Sequence, residues 1–132
     1  MKKFLGVILP VVMILALAMA AQAATVKLPG TWDIKDTYID PDGHITNSTE
    51  VMVISTLVGT LFAGTISGDF GECKITGQVD SGSNFHFGIS TYSSGEYNLV
   101  ALGRGTVSSK YIKGTYSNTI GETGSFTGTK RK

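Results

Sequence analysis

The sequence contains a single cysteine, Cys73, so no disulfide can form within the chain. Its stability must therefore come from buried apolar side chains and from backbone hydrogen bonds. Cys73 alternates with the apolar residues Ile75 and Val79, which stand at even spacings from it. This alternation favours a small buried hydrophobic residue over a reactive thiol or an intermolecular disulfide.

An excess of charge of one sign is also missing. Eleven basic and ten acidic residues give a net charge of +1, and the only basic cluster is the tail 130–132. A nearly neutral protein lacks the electrostatic footprint of nucleic-acid binding. The two histidines, His44 and His86, stand at no spacing typical of metal ligands. We therefore expect no nucleic-acid partner, no metal and no cofactor.

Motifs for catalysis are sparse as well. No serine stands in a G-x-S-x-G elbow, and nearly all carboxylates fall in predicted turns or at outward strand positions. Asp40-Pro-Asp-Gly43 resembles the start of a calcium loop but lacks the later ligands, so a turn is favoured. The sequence predicts a protein that is not an enzyme, with a hydrolase as the less favoured alternative.

The first residues have the layout of a secretory signal peptide. Lys2 and Lys3 precede an apolar run over 4–20, and small residues at 21–23 end in an A-x-A site. We expect cleavage after Ala23, which leaves 24–132 as a single domain with nine basic and ten acidic residues. An N-terminal membrane anchor is the alternative. This start predicts export to the periplasm or the exterior of a bacterium, without embedding of the mature form in a membrane.

Beyond this leader, apolar residues do not recur at helical spacing. They alternate with polar residues in short runs bounded by Gly, Asn, Asp and Ser, as in 72–79, which indicates strands with one buried face. Outward positions such as Lys35, Lys74 and Gln78 are polar, which disfavours a membrane barrel. We predict about eight strands, at 30–39, 50–57, 60–67, 72–79, 84–92, 97–107, 110–117 and 124–130.

Short turn segments connect these runs and predict an antiparallel up-and-down meander. They lie at 40–43, 67–71, 80–84, 93–96 and 118–122. Closure into a small β-barrel would remove the exposed sheet edges, whereas a β-sandwich is the alternative. Four inward glycines could open a cavity in the barrel, or large side chains could fill it completely. These glycines are Gly77, Gly103, Gly114 and Gly128.

The segment Gly30-Thr31-Trp32 contains the only tryptophan and begins the first predicted strand. Together with the leader and the eight-strand meander, this G-x-W resembles the calycin group of small β-barrels, which includes lipocalins and avidins. The resemblance implies that Trp32 closes one end of the barrel and packs against a basic residue of the last strand, here Lys130 or Arg131. The residues after Trp32 do not reproduce the biotin contacts of avidins, so biotin binding is not expected.

Three hypotheses for function follow. The first is an exported barrel that binds a small apolar or amphipathic molecule in its interior. The second is a protein-binding module, similar to periplasmic protease inhibitors, that docks through its loops or through 24–29. The third is a structural surface protein. For the first hypothesis we name seven candidate ligand-binding residues. Six of them face the predicted interior, and the charged Arg104 is expected either at the mouth of the barrel or in solvent. The seven are Trp32, Tyr38, Phe85, Phe87, Leu99, Tyr116 and Arg104.

Overall fold

The computed structural model describes residues 28–81, 83–90 and 100–132, which form an all-β barrel. Each strand pairs antiparallel with its neighbour in the chain, and the first strand pairs with the last. The predicted meander and its closure are confirmed, and the β-sandwich alternative is wrong. The strands are β1 Gly30–Ile39, β2 Ile45–Val58, β3 Leu61–Gly68, β4 Gly71–Val79, β5 Asn84–Ser90, β6 Val100–Val107, β7 Tyr111–Asn118 and β8 Thr123–Lys130.

The predicted signal peptide 1–23 and the predicted turn at 93–96 lie outside the described residues. No helix in the part of the chain that the structure describes is long and apolar enough to cross a membrane.

Alternation places one face of each strand inside the barrel, interrupted in β2 by a register shift between Ile54 and Thr56. Along β1, Trp32, Ile34 and Asp36 are buried, whereas Asp33 and Lys35 are exposed. The same period of two runs along the other strands, as expected for a pleated sheet with one face in water.

Strand β2 is longer than predicted. It begins at Ile45, whereas the predicted start was Glu50, next to the first apolar residues of the strand core at 51–54. The polar stretch 46–49 gave no apolar signal, yet it pairs with the end of β1 through backbone hydrogen bonds, which depend little on side-chain polarity.

Aromatic rings cover the inward glycines. Phe87 stands opposite Gly103 in the register of β5 and β6, and a Cβ atom on that glycine would overlap the Phe87 ring. These glycines do not themselves open the interior, because each one makes room for a large side chain of a neighbouring strand. The equivalent pairs are Phe62 with Gly77, Phe85 with Gly105, Phe126 with Gly114, Tyr116 with Gly124, and both Ile34 and Ile112 with Gly128.

The strand directions give the barrel two distinct ends. At the closed end, where β1 begins and β8 ends, Leu28, Trp32 and Phe62 are almost completely buried in a continuous apolar core. At the open end lie the β1–β2, β3–β4 and β7–β8 turns. Positive φ angles at Gly43, Gly71 and Gly121 fit these turns, because glycine adopts that conformation without strain.

Candidate functional site

Trp32 closes one end of the barrel, as the resemblance implied. Its side chain has no exposed surface, and its Nε1 donates a hydrogen bond to the Leu28 carbonyl oxygen at 2.9 Å. Lys130 of β8 is the basic partner, with its Nζ 5.3 Å from the ring centroid, within the range of a cation–π contact. Arg131 instead forms an exposed ion pair with Asp33, at 2.6 Å.

The glycine of the G-x-W segment, Gly30, lies against the side chain of Lys130. Gly30 has a φ of 137°, and a Cβ atom there would lie 2.5 Å from Cε of Lys130. The absence of a side chain at Gly30 thus leaves room for the Lys130 stem to reach Trp32.

The open half of the barrel contains a cavity of ≈ 490 Å³. Phe85, Phe87 and Phe126 line it as an aromatic cluster, with ring centroids 5.6 to 6.3 Å apart. Met52 and Ala101 contribute to its apolar wall. The barrel is therefore a packed core at one end and a cavity at the other, so each of the two sequence-based alternatives holds for one half.

The structure brings four of the predicted ligand-binding residues together in this cavity: Tyr38, Phe85, Phe87 and Tyr116. Trp32 is buried at the opposite end and does not line it. Arg104 is exposed on the outer face of β6, between His86 and Thr115 of the neighbouring strands, so the solvent-exposed alternative holds and Arg104 does not line the cavity. Leu99 lies outside the described residues.

Two carboxylates in the cavity were missed by the sequence reasoning. Asp36 and Glu50 are only 7% and 8% exposed, and both line the cavity. The signal was the alternation itself, since Asp36 stands at the inward spacing between Ile34 and Tyr38. Assigning acids to turns or to the outer face by residue type overlooks their position in the strand.

Asp36 has incomplete hydrogen bonding. The Tyr116 hydroxyl donates to its Oδ2 at 2.6 Å, whereas Oδ1 receives no hydrogen bond of normal length and angle from any described residue. Burial raises the pKa of Asp36; the Tyr116 hydrogen bond and the Thr37 backbone N–H oppose that rise, and the charge of Glu122 adds to it. Burial, and then the bond to Asp36, also raise the pKa of Tyr116 far above its usual value.

Glu50 has a similar environment. Ser48 donates a hydrogen bond to its Oε1 at 2.6 Å. Burial raises the pKa of Glu50, the Ser48 hydrogen bond opposes that rise, and the negative charges of Asp36 and Asp69 increase it. The cavity thus contains two buried acidic groups whose surroundings disfavour their ionised form.

The mouth of the cavity combines acidic and apolar groups. Asn118 donates to Oε2 of Glu122 at 2.7 Å, and Asp69 lies on the β3–β4 turn. Phe70 and Ile120, on the two turns that border the opening, are each about half exposed. A ligand that enters here meets apolar surface and negative charge together.

A different acidic group occupies the β1–β2 turn. Ligand atoms of Asp40, Asp42 and His44 lie within 4.8 Å of one another. Asp40 Oδ1 already accepts the backbone N–H groups of Asp42 and His44, each at 2.9 Å, which confirms the predicted turn. These bonds explain the cluster without an ion, and the expectation of no metal stays a prediction.

Cys73 is 2% exposed, and burial raises the pKa of its thiol. The prediction of a small buried hydrophobic residue is confirmed, and this residue also lines the cavity.

The chain is similar to known proteins in its fold. No protein family matches the sequence, and no curated protein matches it either. Among solved structures, a redesigned β-barrel is 20% identical with a TM-score of 0.65, and the match covers 83% of this chain and 96% of that one.

Two further matches are also designed barrels. A redesigned β-barrel named mFAP0, bound to DFHBI, is 22% identical with a TM-score of 0.61, over 79% of this chain and 99% of that one. A fluorescence-activating β-barrel designed de novo is 17% identical with a TM-score of 0.63, over 82% of this chain and 97% of that one. At these identities the likeness shows the fold alone, so the resemblance to calycins is supported only at the level of a small eight-stranded antiparallel β-barrel.

Proposed function

We propose that this protein is an exported, non-catalytic β-barrel that binds a small apolar or amphipathic molecule in its open-end cavity. The observation that carries the proposal is the cavity itself, at ≈ 490 Å³ with an aromatic floor and a few polar groups. Ligand pockets in proteins have volumes of about 300 to 1,000 Å³ and this kind of lining. Export and the absence of catalysis rest on the sequence.

The similar barrels support the proposal. One of them, mFAP0, is bound to DFHBI, and we extend small-molecule binding from that protein to this chain. DFHBI therefore belongs in any first panel of test ligands.

A blocking variant tests the proposal. Ala101 is 4% exposed, lines the cavity and stands opposite Ile89 in the register, so Ala101→Phe would place a ring in the cavity. The measurement is titration of the mature protein with Nile red, an uncharged apolar fluorophore. We expect saturable binding by the wild type and at least about tenfold weaker binding by the blocked variant.

Thr115→Phe is the matched control, because Thr115 is exposed on the outer face of β7. It adds the same ring outside the barrel and should leave Nile red binding unchanged. Circular dichroism melting checks that both variants fold, and Ile66→Phe, also in the cavity wall, replaces Ala101→Phe if that variant does not. No saturable binding by the wild type, or equal binding by wild type and folded blocked variant, would refute an interior site.

A protein-binding module is a second candidate, favoured by exposed apolar side chains near the open end. Ile39, Ile45 and Leu102 are 44%, 67% and 68% exposed and border one shallow depression of the outer face. Docking through 24–29 is not supported at Leu28, which is buried beneath Trp32. Cross-linking in cells tests this candidate: a specific cross-linked protein should be lost in the Ile45→Lys, Leu102→Lys double variant.

A further inference from the structure

We propose that the molecule bound in the cavity is an organic cation with an apolar body, and that Asp36 and Glu50 hold its positive nitrogen. This inference rests on the proposed function and specifies the chemical class of the ligand. Four observations carry it: an unpartnered carboxylate oxygen, the sign of the charges around the cavity, the absence of a three-ligand metal cluster among its described acidic groups, and an aromatic ring beside Asp36.

The first observation is Oδ1 of Asp36. The residue is only 7% exposed, and this oxygen accepts no hydrogen bond of normal geometry from the described residues. A buried acceptor without a partner is unfavourable in the empty protein, and the penalty is larger for a charged group. A ligand N–H that reaches Oδ1 removes this penalty.

The second observation is the sign of the charges. The ionisable side chains around the cavity are the carboxyl groups Asp36, Glu50, Asp69 and Glu122, with the phenols Tyr38 and Tyr116 and the Cys73 thiol. None of the described lining residues is Lys, Arg or His, and the segment 91–99 contains none of these residues in its sequence. An anionic head group would be repelled here, whereas a cation would meet several negative charges.

The third observation separates an organic cation from a metal ion. A metal requires several oxygens converging on one point, but the carboxyl groups of the cavity do not form a cluster of this kind. The only group of three acids or imidazoles that meets within 4.8 Å among the described residues is the β1–β2 turn, outside the cavity. Carboxyl groups that do not converge three at a time on one point suit an ammonium or amidinium group, whose N–H donors point in several directions.

The fourth observation is the aromatic ring next to Asp36. Phe126 is its cross-strand partner on β8, and this ring belongs to the cavity floor with Phe87, at 5.6 Å between centroids. A cation beside Asp36 would therefore lie near an aromatic face as well as a carboxylate. The apolar part of the same molecule would fill the space over the ring cluster.

Competition against bound Nile red tests the inference. The ligands are octylammonium, octanol and octanoate, which share one chain and differ in charge. At neutral pH we expect octylammonium to displace the probe at least about tenfold more effectively than octanoate, with octanol between them. Asp36→Asn and Glu50→Gln should each reduce the ratio of octylammonium affinity to octanoate affinity at least about threefold, and the double variant should bring that ratio close to one.

Glu72→Gln is the charge-matched control. Glu72 is exposed on β4 and does not line the cavity, so its substitution removes one negative charge from the outside of the barrel. An unchanged ratio in this variant shows that the selectivity is local. If one of the variants Asp36→Asn and Glu50→Gln fails to fold, the affinity ratio of the other is sufficient to test the inference.

The two proposals fail in different ways. Without Nile red binding to the wild type, the interior site itself is refuted, and the ligand class with it. If Nile red binds but octanoate competes as well as octylammonium, the site stands and the cationic ligand is refuted. The same conclusion follows if Asp36→Asn and Glu50→Gln leave the ratio at its wild-type value, since Asp36 Oδ1 would then serve only to bind water.

A pH titration adds an independent readout. Octylammonium should bind less tightly as pH falls from about 7 to about 4, because the interior carboxyl groups take up protons and lose their charge. Octanol binding should change much less over the same range. If the ratio of octylammonium affinity to octanol affinity stays constant over this pH range, ionised carboxylates have no role in binding.

Discussion

The two ends of the barrel differ in how completely their buried polar atoms are satisfied. At the closed end, the indole N–H of Trp32 bonds to the Leu28 carbonyl, and Lys130 lies over the ring. At the open end, Asp36 is as inaccessible to water as many core residues, yet one of its oxygens has no described partner. The same alternation of inward and outward residues produces both ends. The carboxylate oxygen without a hydrogen-bond donor therefore marks the open end as the candidate site.

The largest expected effect on stability lies at the closed end. Trp32→Ala removes the largest fully buried side chain and should lower the free energy of unfolding by about 3 to 5 kcal/mol. Tyr38→Ala, at the open end, should cost less than half as much because the Tyr38 side chain is only partly buried. Urea denaturation of both variants measures the difference. Equal losses would show that the two ends do not differ in packing.

The next largest effect concerns the rings packed over glycines. Gly103→Ala should cost about 1 to 3 kcal/mol, because the new methyl group would overlap the Phe87 ring and force it from its position. Gly88→Ala is the matched control: its Cβ would meet the nearest atom, Cδ2 of Leu102, at an ordinary 3.5 Å. Thermal melting of both variants compares them, and a Gly88→Ala loss as large as that of Gly103→Ala would contradict this explanation.

The pH dependence of stability should reveal the buried Asp36. Its pKa is raised in the folded state, so the folded protein binds more protons than the unfolded chain between the ordinary pKa and the raised one. Its contribution to stability is therefore present at low pH and is lost as pH rises through that window. Asp36→Asn should remove this loss and be more stable than the wild type at neutral pH, by on the order of 1 kcal/mol.

The difference between the two proteins isolates the effect of Asp36, which includes the rise that its negative charge causes in the pKa of Glu50. Asp33 and Asp40 have lowered pKa values, through the Arg131 hydrogen bonds and the His44 backbone N–H respectively, so their contributions are lost as pH falls. Those contributions are common to wild type and variant and cancel in the comparison. Urea denaturation between about pH 4 and about pH 8 should give a gap that widens with pH. A gap that is constant or narrows would contradict the assignment.

Most of the fold was predictable from the sequence, because alternation and turn residues are local signals. Strand β1 has the predicted limits, and the turn predicted at Asp40 is present, held by hydrogen bonds from the backbone of Asp42 and His44. The start of β2 was not predictable from apolar alternation, since Thr46 and Asn47 carry no such signal and pair only because β1 lies beside them. The roles of the glycines were missed because a large side chain from a neighbouring strand covers each one, and register is a non-local property.

The candidate site was predictable only in part. Phe85, Phe87 and Tyr116 follow from the inward parity of their strands, as Tyr38 does. Arg104 follows the inward Gly103 by one position and faces outward, which is the solvent-exposed position that the alternation predicts for it. The hydrogen bond between Tyr116 and Asp36 joins residues 80 positions apart, so no local pattern could show it.

The smallest expected effect tests the cation–π contact at the closed end. Lys130→Met keeps most of the aliphatic stem and removes the charge above Trp32, which should lower the free energy of unfolding by about 0.5 to 1 kcal/mol. A double-mutant cycle with Trp32→Phe, measured by urea denaturation, separates the contact with the ring from other interactions of Lys130. Arg131→Met, which breaks an exposed ion pair with Asp33, serves as the control and should show no coupling to the ring. Additive losses from Lys130→Met and Trp32→Phe would mean that the lysine contributes through its stem alone, and the closed end would then depend on apolar packing without help from charge.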